Sequence, residues 1–109
     1  MTDQEDAQKM IMEMQQKQQQ LQQVVIQKEE TEEELLESKR ALEEVEEGEG
    51  EVYSSVGSIF VQKDRNDLQD ELEERIEDLE VRKKSLNRKQ KQLEEKVEET
   101  RNQFSQSMG

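Results

Sequence analysis

The chain has 109 residues, of which 28% are hydrophobic and 41% charged, with a net charge of -13 and no Cys, Pro, His or Trp. An average soluble domain is roughly 45–50% apolar and about 25% charged, so this sequence cannot surround a conventional compact core. Without His or Cys it also lacks the usual ligands of a zinc centre, a thiol nucleophile and an imidazole general base.

Further classes fall away on the same grounds. The acidic balance opposes binding to phosphate backbones, which depends on Lys and Arg displacing counterions. No run of about 18 apolar residues is available to span a bilayer. The opening Met1-Thr2-Asp3-Gln4-Glu5-Asp6 is acidic and polar, unlike a signal peptide. These features predict a cytoplasmic, non-enzymatic protein that uses no cofactor or metal and binds neither nucleic acid nor membrane.

Helix breakers are confined to Gly48, Gly50, Gly57 and Gly109. The first predicted element is a helix over residues 4–47. Its apolar residues Met10, Met14, Leu21, Val24, Leu35, Leu42 and Val45 fit one heptad frame, with a positions at 14, 21, 28, 35 and 42 and d positions at 10, 17, 24, 31, 38 and 45. Lys17, Lys28, Thr31 and Ser38 interrupt the apolar seam. An acidic link at residues 46–51 ends the helix.

A β-hairpin is predicted over residues 51–63. Val52-Tyr53-Ser54-Ser55-Val56 and Ser58-Ile59-Phe60-Val61-Gln62 flank Gly57, both rich in β-branched and aromatic residues. Val52, Val56, Ile59 and Val61 oppose Tyr53 and Phe60, so the hairpin is apolar on much of both faces. A lone hairpin is marginal in water and leaves open edges, so strands from other subunits are its expected partners. The alternative is a hairpin folded back on its own helices. Asp64 is placed to cap a second helix over residues 65–107, with Asp67 in its first turn. There Leu72, Leu79, Leu86, Leu93 and Thr100 occupy d, and Ile76, Lys83, Gln90, Val97 and Phe104 occupy a.

Two polar arms, each roughly 60 Å long, must pack on something, and an antiparallel coiled coil lets them pack on each other. Pairing Leu42 with Leu72 brings Leu35 to Leu79, Leu21 to Leu93 and Met10 to Phe104, and centres the register on Gly57. The same register sets Glu29, Glu30, Glu32, Glu33 and Glu34 near Arg82, Lys83 and Lys84. The basic residues from Arg82 to Lys91 are then a solvated helix face beside acidic partners rather than a nucleic-acid site. The expected fold is α-dominated: one domain over residues 1–109, an antiparallel two-helix coiled coil joined by a single hairpin.

The hairpin segment Glu51-Val52-Tyr53-Ser54-Ser55-Val56-Gly57, continuing into Ile59-Phe60-Val61 and Lys63-Asp64, resembles the β-type subunit of prefoldin. Leu79-Glu80-Val81-Arg82 and Leu21-Gln22-Gln23-Val24-Val25-Ile26-Gln27-Lys28 are similar to the archaeal β subunit. The sequence departs from the family in its acidic link and at Ser54, where Lys is common. The resemblance implies a hexamer of two α and four β subunits whose hairpins join in intersubunit β-barrels. It implies an ATP-independent chaperone that holds unfolded proteins at the tips of its coiled coils and delivers them to a group II chaperonin. Val52, Tyr53, Val56, Gly57, Ile59, Phe60 and Val61 are the expected oligomerisation residues.

The register also brings both chain ends to one open tip. Met10 and Met14 lie on the seam there, Ile11 and Met12 face outward, Phe104 is on the seam, and Met108 lies beyond it. Flexible, polarizable methionines suit a surface that accepts many apolar partners, and an apolar patch at an exposed end needs a reason. These six residues are the expected client-binding tip, the alternative being ordinary end-of-coil packing. Val25, Ile26 and Val81 also fall off the seam. The competing function is a structural coiled-coil tether or assembly factor without client binding.

Overall fold

The computed structural model describes residues 2–108. Helix α1 spans Thr2–Glu47, strand β1 Val52–Val56, strand β2 Ile59–Lys63 and helix α2 Arg65–Met108. Two long helices and one antiparallel hairpin are the fold class that the heptads and the single glycine-bearing centre predict. Both helices contribute to two compact units. A terminal unit holds the residues up to Glu29 and those from Lys84, and a hairpin unit holds Glu30–Lys83.

In the terminal unit, Val24, Leu86 and Leu93 form a buried cluster with Leu21 packed against it. Val24 therefore sits between two d residues one heptad apart, as a knob enters a hole. That is the placement required when Leu21 lies level with Leu93. A slip of one heptad either way would replace Leu86 or Leu93 by another layer. Lys28, on the seam and half-buried, donates from Nζ to Gln90 Oε1 at 3.3 Å, so this impure layer is bridged rather than apolar.

In the hairpin unit the buried residues include Leu35, Val45, Leu68 and Leu79, with Thr31 at 3% and Ser38 at 6% exposure. The polar interruptions of the α1 seam therefore face inward like their apolar neighbours, because a 3.5-residue period fixes direction whatever the side chain. Among the described residues no buried side-chain nitrogen or oxygen lacks a hydrogen-bond partner. Ion pairs Lys39–Glu80, Arg75–Glu34 and Lys83–Glu32, at 3.5, 3.9 and 3.9 Å, join α1 to α2. All six side chains are well exposed, so these pairs help choose the register more than they add stability.

The strands pair in register from Val52 opposite Lys63 to Val56 opposite Ile59. Gly57 and Ser58 form the turn, which places β2 one residue later than the sequence run beginning at Ser58. Gly57 has φ +61 and Ser58 does not have a positive φ. This is the type II′ pattern, whose twist matches a two-residue hairpin and whose first central position favours glycine. At the start of α2, Asp64 Oδ1 accepts from the backbone N–H groups of Asn66 and Asp67 at 2.9 and 3.3 Å. Those bonds satisfy two of the helix's orphan donors, as the N-cap reading predicts.

The end of α1 is stabilised by a residue the sequence reading did not single out. Its last turn is acidic and contains no base, which opposes the helix dipole. Arg65 supplies the missing cation from the first position of α2. Its Nη1 donates to the Val45 carbonyl, and its Nη2 donates to the Gly50 carbonyl at 2.6 Å. Gly50 itself has φ +95, a conformation that side-chain-bearing residues rarely adopt. One guanidinium thus fixes both the end of α1 and the link that leaves it.

Candidate functional site

Strand alternation divides the hairpin into two faces. Val52, Ser54 and Val56, with their partners Lys63, Val61 and Ile59, form one; Tyr53 and Ser55, with Gln62 and Phe60, form the other. The base of the first face leans on α2. Val52, Ser54 and Lys63 are half-buried, Lys63 Nζ lies 3.1 Å from Glu71 Oε1, and Ser54 shares a depression with Leu68 and Leu72. Leu68 is buried although it is off the heptad frame.

Beyond that base the hairpin is open. Val56 and Ile59 remain more than half exposed, Phe60 is 77% exposed, and Tyr53 and Val61 are exposed as well. The sheet contains only β1 and β2 among the described residues, so the outer edge of each strand has no strand partner. Unpaired edges beside apolar side chains form a template for further strands. The seven hairpin residues singled out from sequence are thus brought together on one element, and most of their apolar surface is free.

Tyr53 also makes a local contact that can be tested directly. Its hydroxyl donates to Glu51 Oε2 at 2.7 Å, and this bond to a carboxylate, followed by partial desolvation, raises its pKa above the ordinary phenol value. The bond is present while the phenol is protonated and is lost as pH rises through that raised value. Tyr53 is the sole Tyr and there is no Trp, so tyrosinate absorbance reports this residue alone. Glu51→Gln is expected to bring the absorbance titration down toward the ordinary range, and an unmoved midpoint would contradict the contact.

The residues assigned to the tip lie in the terminal unit. Met10, Met14 and Phe104 are half-buried, whereas Ile11 and Met12 are 39% and 68% exposed. The Ser107 hydroxyl lies 3.9 Å from Met10 Sδ and 3.0 Å from the Phe104 carbonyl oxygen, so the two chain ends meet at this level. The side chain assigned at Met108 lies outside the described ones. Of the off-seam residues, Ile26 and Val81 are exposed and Val25 is half-buried; Leu36, which the sequence reading did not single out, is also half exposed.

Of the cations expected near acidic residues, Lys83 forms an ion pair, with Glu32. Among the described residues no ion pair engages Arg82, Lys84, Arg88, Lys89 or Lys91. For Arg88, Lys89 and Lys91 the cause is in the register: Val24 packs with Leu86 and Leu93, which sets residues 86–91 level with residues 23–28 of α1, a stretch without Asp or Glu. Among the described residues there is also no acidic cluster able to hold a metal ion, and no helix long and apolar enough to cross a membrane.

A family model described as "Prefoldin subunit" matches residues 8–109. The chain belongs to the prefoldin subunit family. Among solved structures, the prefoldin beta subunit from Thermococcus strain KS-1 matches with a TM-score of 0.82 and 39% sequence identity. The alignment covers 94% of this chain and 91% of that one. No curated protein matches the chain significantly. Prefoldin is a family of chaperone subunits rather than of enzymes, so the hairpin and the chain-end residues of this prefoldin subunit are candidate binding surfaces.

Proposed function

We propose that the chain is the β-type subunit of an ATP-independent holdase, and that it works by assembly at the hairpin and client binding at the chain ends. The observation that carries this reading is the likeness along nearly the whole chain to the Thermococcus prefoldin beta subunit. The exposed hairpin supports the assembly half. Val56, Ile59 and Phe60 need a cover, and an intersubunit β-barrel closes the strand edges that a single hairpin leaves open. Its partners are α-type prefoldin subunits, in a hexamer of two α and four β chains.

The chain ends support the client half. Ile11 and Met12 lie outside the seam and keep much of their surface, while Met10, Met14 and Phe104 provide a half-buried apolar floor. A flexible apolar surface of this kind holds unfolded chains without selecting one sequence, and release to a group II chaperonin follows when the chaperonin competes for them. Binding of this kind needs no nucleotide or metal, and the protein acts in the cytoplasm. A coiled-coil tether has no use for outward Ile11 and Met12. Replacing Ile11, Met12 and Phe104 by Ser is expected to weaken suppression of client aggregation severalfold while the assembly keeps its mass. Undiminished suppression by that assembly would remove the tip from the mechanism.

A further inference from the structure

The terminal unit contains a band with no acidic residue on either helix. Residues 14–28 of α1 and 84–93 of α2 include Lys17, Lys28, Lys84, Arg88, Lys89 and Lys91, and neither segment contains Asp or Glu. Their stretches 21–28 and 86–93 lie level with one another, since Val24 packs with Leu86 and Leu93 and Lys28 bonds Gln90. In a chain of net charge -13 this is a local reversal of sign.

The cations are also available. Lys84, Arg88, Lys89 and Lys91 are exposed, and none has an acidic partner. Positions 84, 88 and 91 fall on one helical face by their spacing. Lys89 borders a cleft of about 300 Å³ lined by Gln20, Gln23, Val24 and Gln27. Nearby, Ile26 is 54% exposed and Val25 half-buried. The bounding acid Glu94 accepts a hydrogen bond from Gln90 Nε2 at 2.9 Å.

We propose that this band binds acidic segments of unfolded polypeptides, a second contact beyond the chain-end surface. The proposal rests on the chaperone reading above. Glutamine amides both donate and accept, matching the backbone of an extended chain, while the unpaired cations match its carboxylates. Screening confines the repulsion from distant glutamates to about 8 Å at physiological salt, so local sign decides what docks here. A nucleic acid fits less well. Its bases need aromatic stacking platforms, and neither segment of the band contains an aromatic residue.

Two unstructured fluorescent peptides test the idea on the full-length chain. They share length and apolar residues but carry Glu in one and Gln in the other. Four cations are removed together by Lys84→Gln, Arg88→Gln, Lys89→Gln and Lys91→Gln. A charge-matched control carries Lys9→Gln, Lys39→Gln, Arg40→Gln and Lys96→Gln. By anisotropy at physiological salt, the wild type and the control should bind the Glu peptide about tenfold more tightly than the band variant does. The Gln peptide should bind all three alike. Equal losses in band and control variants would reduce the effect to net charge and overturn the proposal. So would tighter, band-dependent binding of a single-stranded oligonucleotide. Equal binding of both peptides by a wild type whose mixture with an α-type subunit suppresses client aggregation refutes the band alone; a mixture that leaves the client to aggregate refutes the chaperone reading as well.

Discussion

Ile59→Glu together with Phe60→Glu is expected to prevent assembly with an α-type prefoldin subunit while leaving the two helices folded. Both side chains are largely exposed in the single chain, so the double variant should unfold within about 0.5 kcal/mol of the wild type. Assembly is a different matter. Burying an Ile or Phe side chain fully contributes about 1.5–3 kcal/mol, and a carboxylate buried without a partner reverses that sign. The penalty recurs in every copy around a barrel. Light scattering on the mixed subunits should therefore show free chains where the wild type gives one large species. An unchanged mass would mean that the exposed hairpin is not the joint.

Leu93→Ala is expected to have the largest effect on the chain itself, lowering its unfolding free energy by about 2–4 kcal/mol. Leu93 is 7% exposed, and it closes the hole that receives Val24. A two-helix layer has few other side chains to move into the space, so the lost contacts are not replaced. Val81→Ala provides the contrast, because Val81 is 66% exposed and off the frame, and should shift stability by less than about 0.5 kcal/mol. Urea melts followed by helical circular dichroism compare the two. Similar midpoints would show that the heptad frame does not identify the core.

The frame was the most legible part of the sequence because direction in a coiled coil depends on position and not on side-chain type. Lys17, Lys28, Thr31 and Ser38 looked like interruptions, yet each occupies a buried or half-buried seam position. The hairpin was equally readable, since Gly57 and the flanking β-branched runs allow little else, although the turn takes Ser58 from the second run. Arg65 was not legible. Its role depends on reaching two carbonyls, at Val45 and Gly50, that only the folded register brings near it. Leu68 was missed because it lies off the heptad frame, where the seam pattern does not predict burial. The basic run was legible as composition, but its lack of partners was not. Ion pairing depends on which stretch of α1 lies level with it, and for Arg88, Lys89 and Lys91 that stretch contains no Asp or Glu.

For the candidate surfaces, the structure shows where the residues lie. The seven hairpin residues lie on one element, and Met10, Ile11, Met12, Met14 and Phe104 lie within one unit. In the proposed function, what brings them to act is the presence of other subunits and of a client.

The most direct measurement combines the chain, an α-type prefoldin subunit and an aggregating unfolded protein, without ATP, followed by light scattering. A chaperone subunit predicts a defined hetero-oligomer and stoichiometric suppression of aggregation in the mixture. A defined oligomer that leaves the client to aggregate at its uninhibited rate would contradict the account and leave a structural tether in its place.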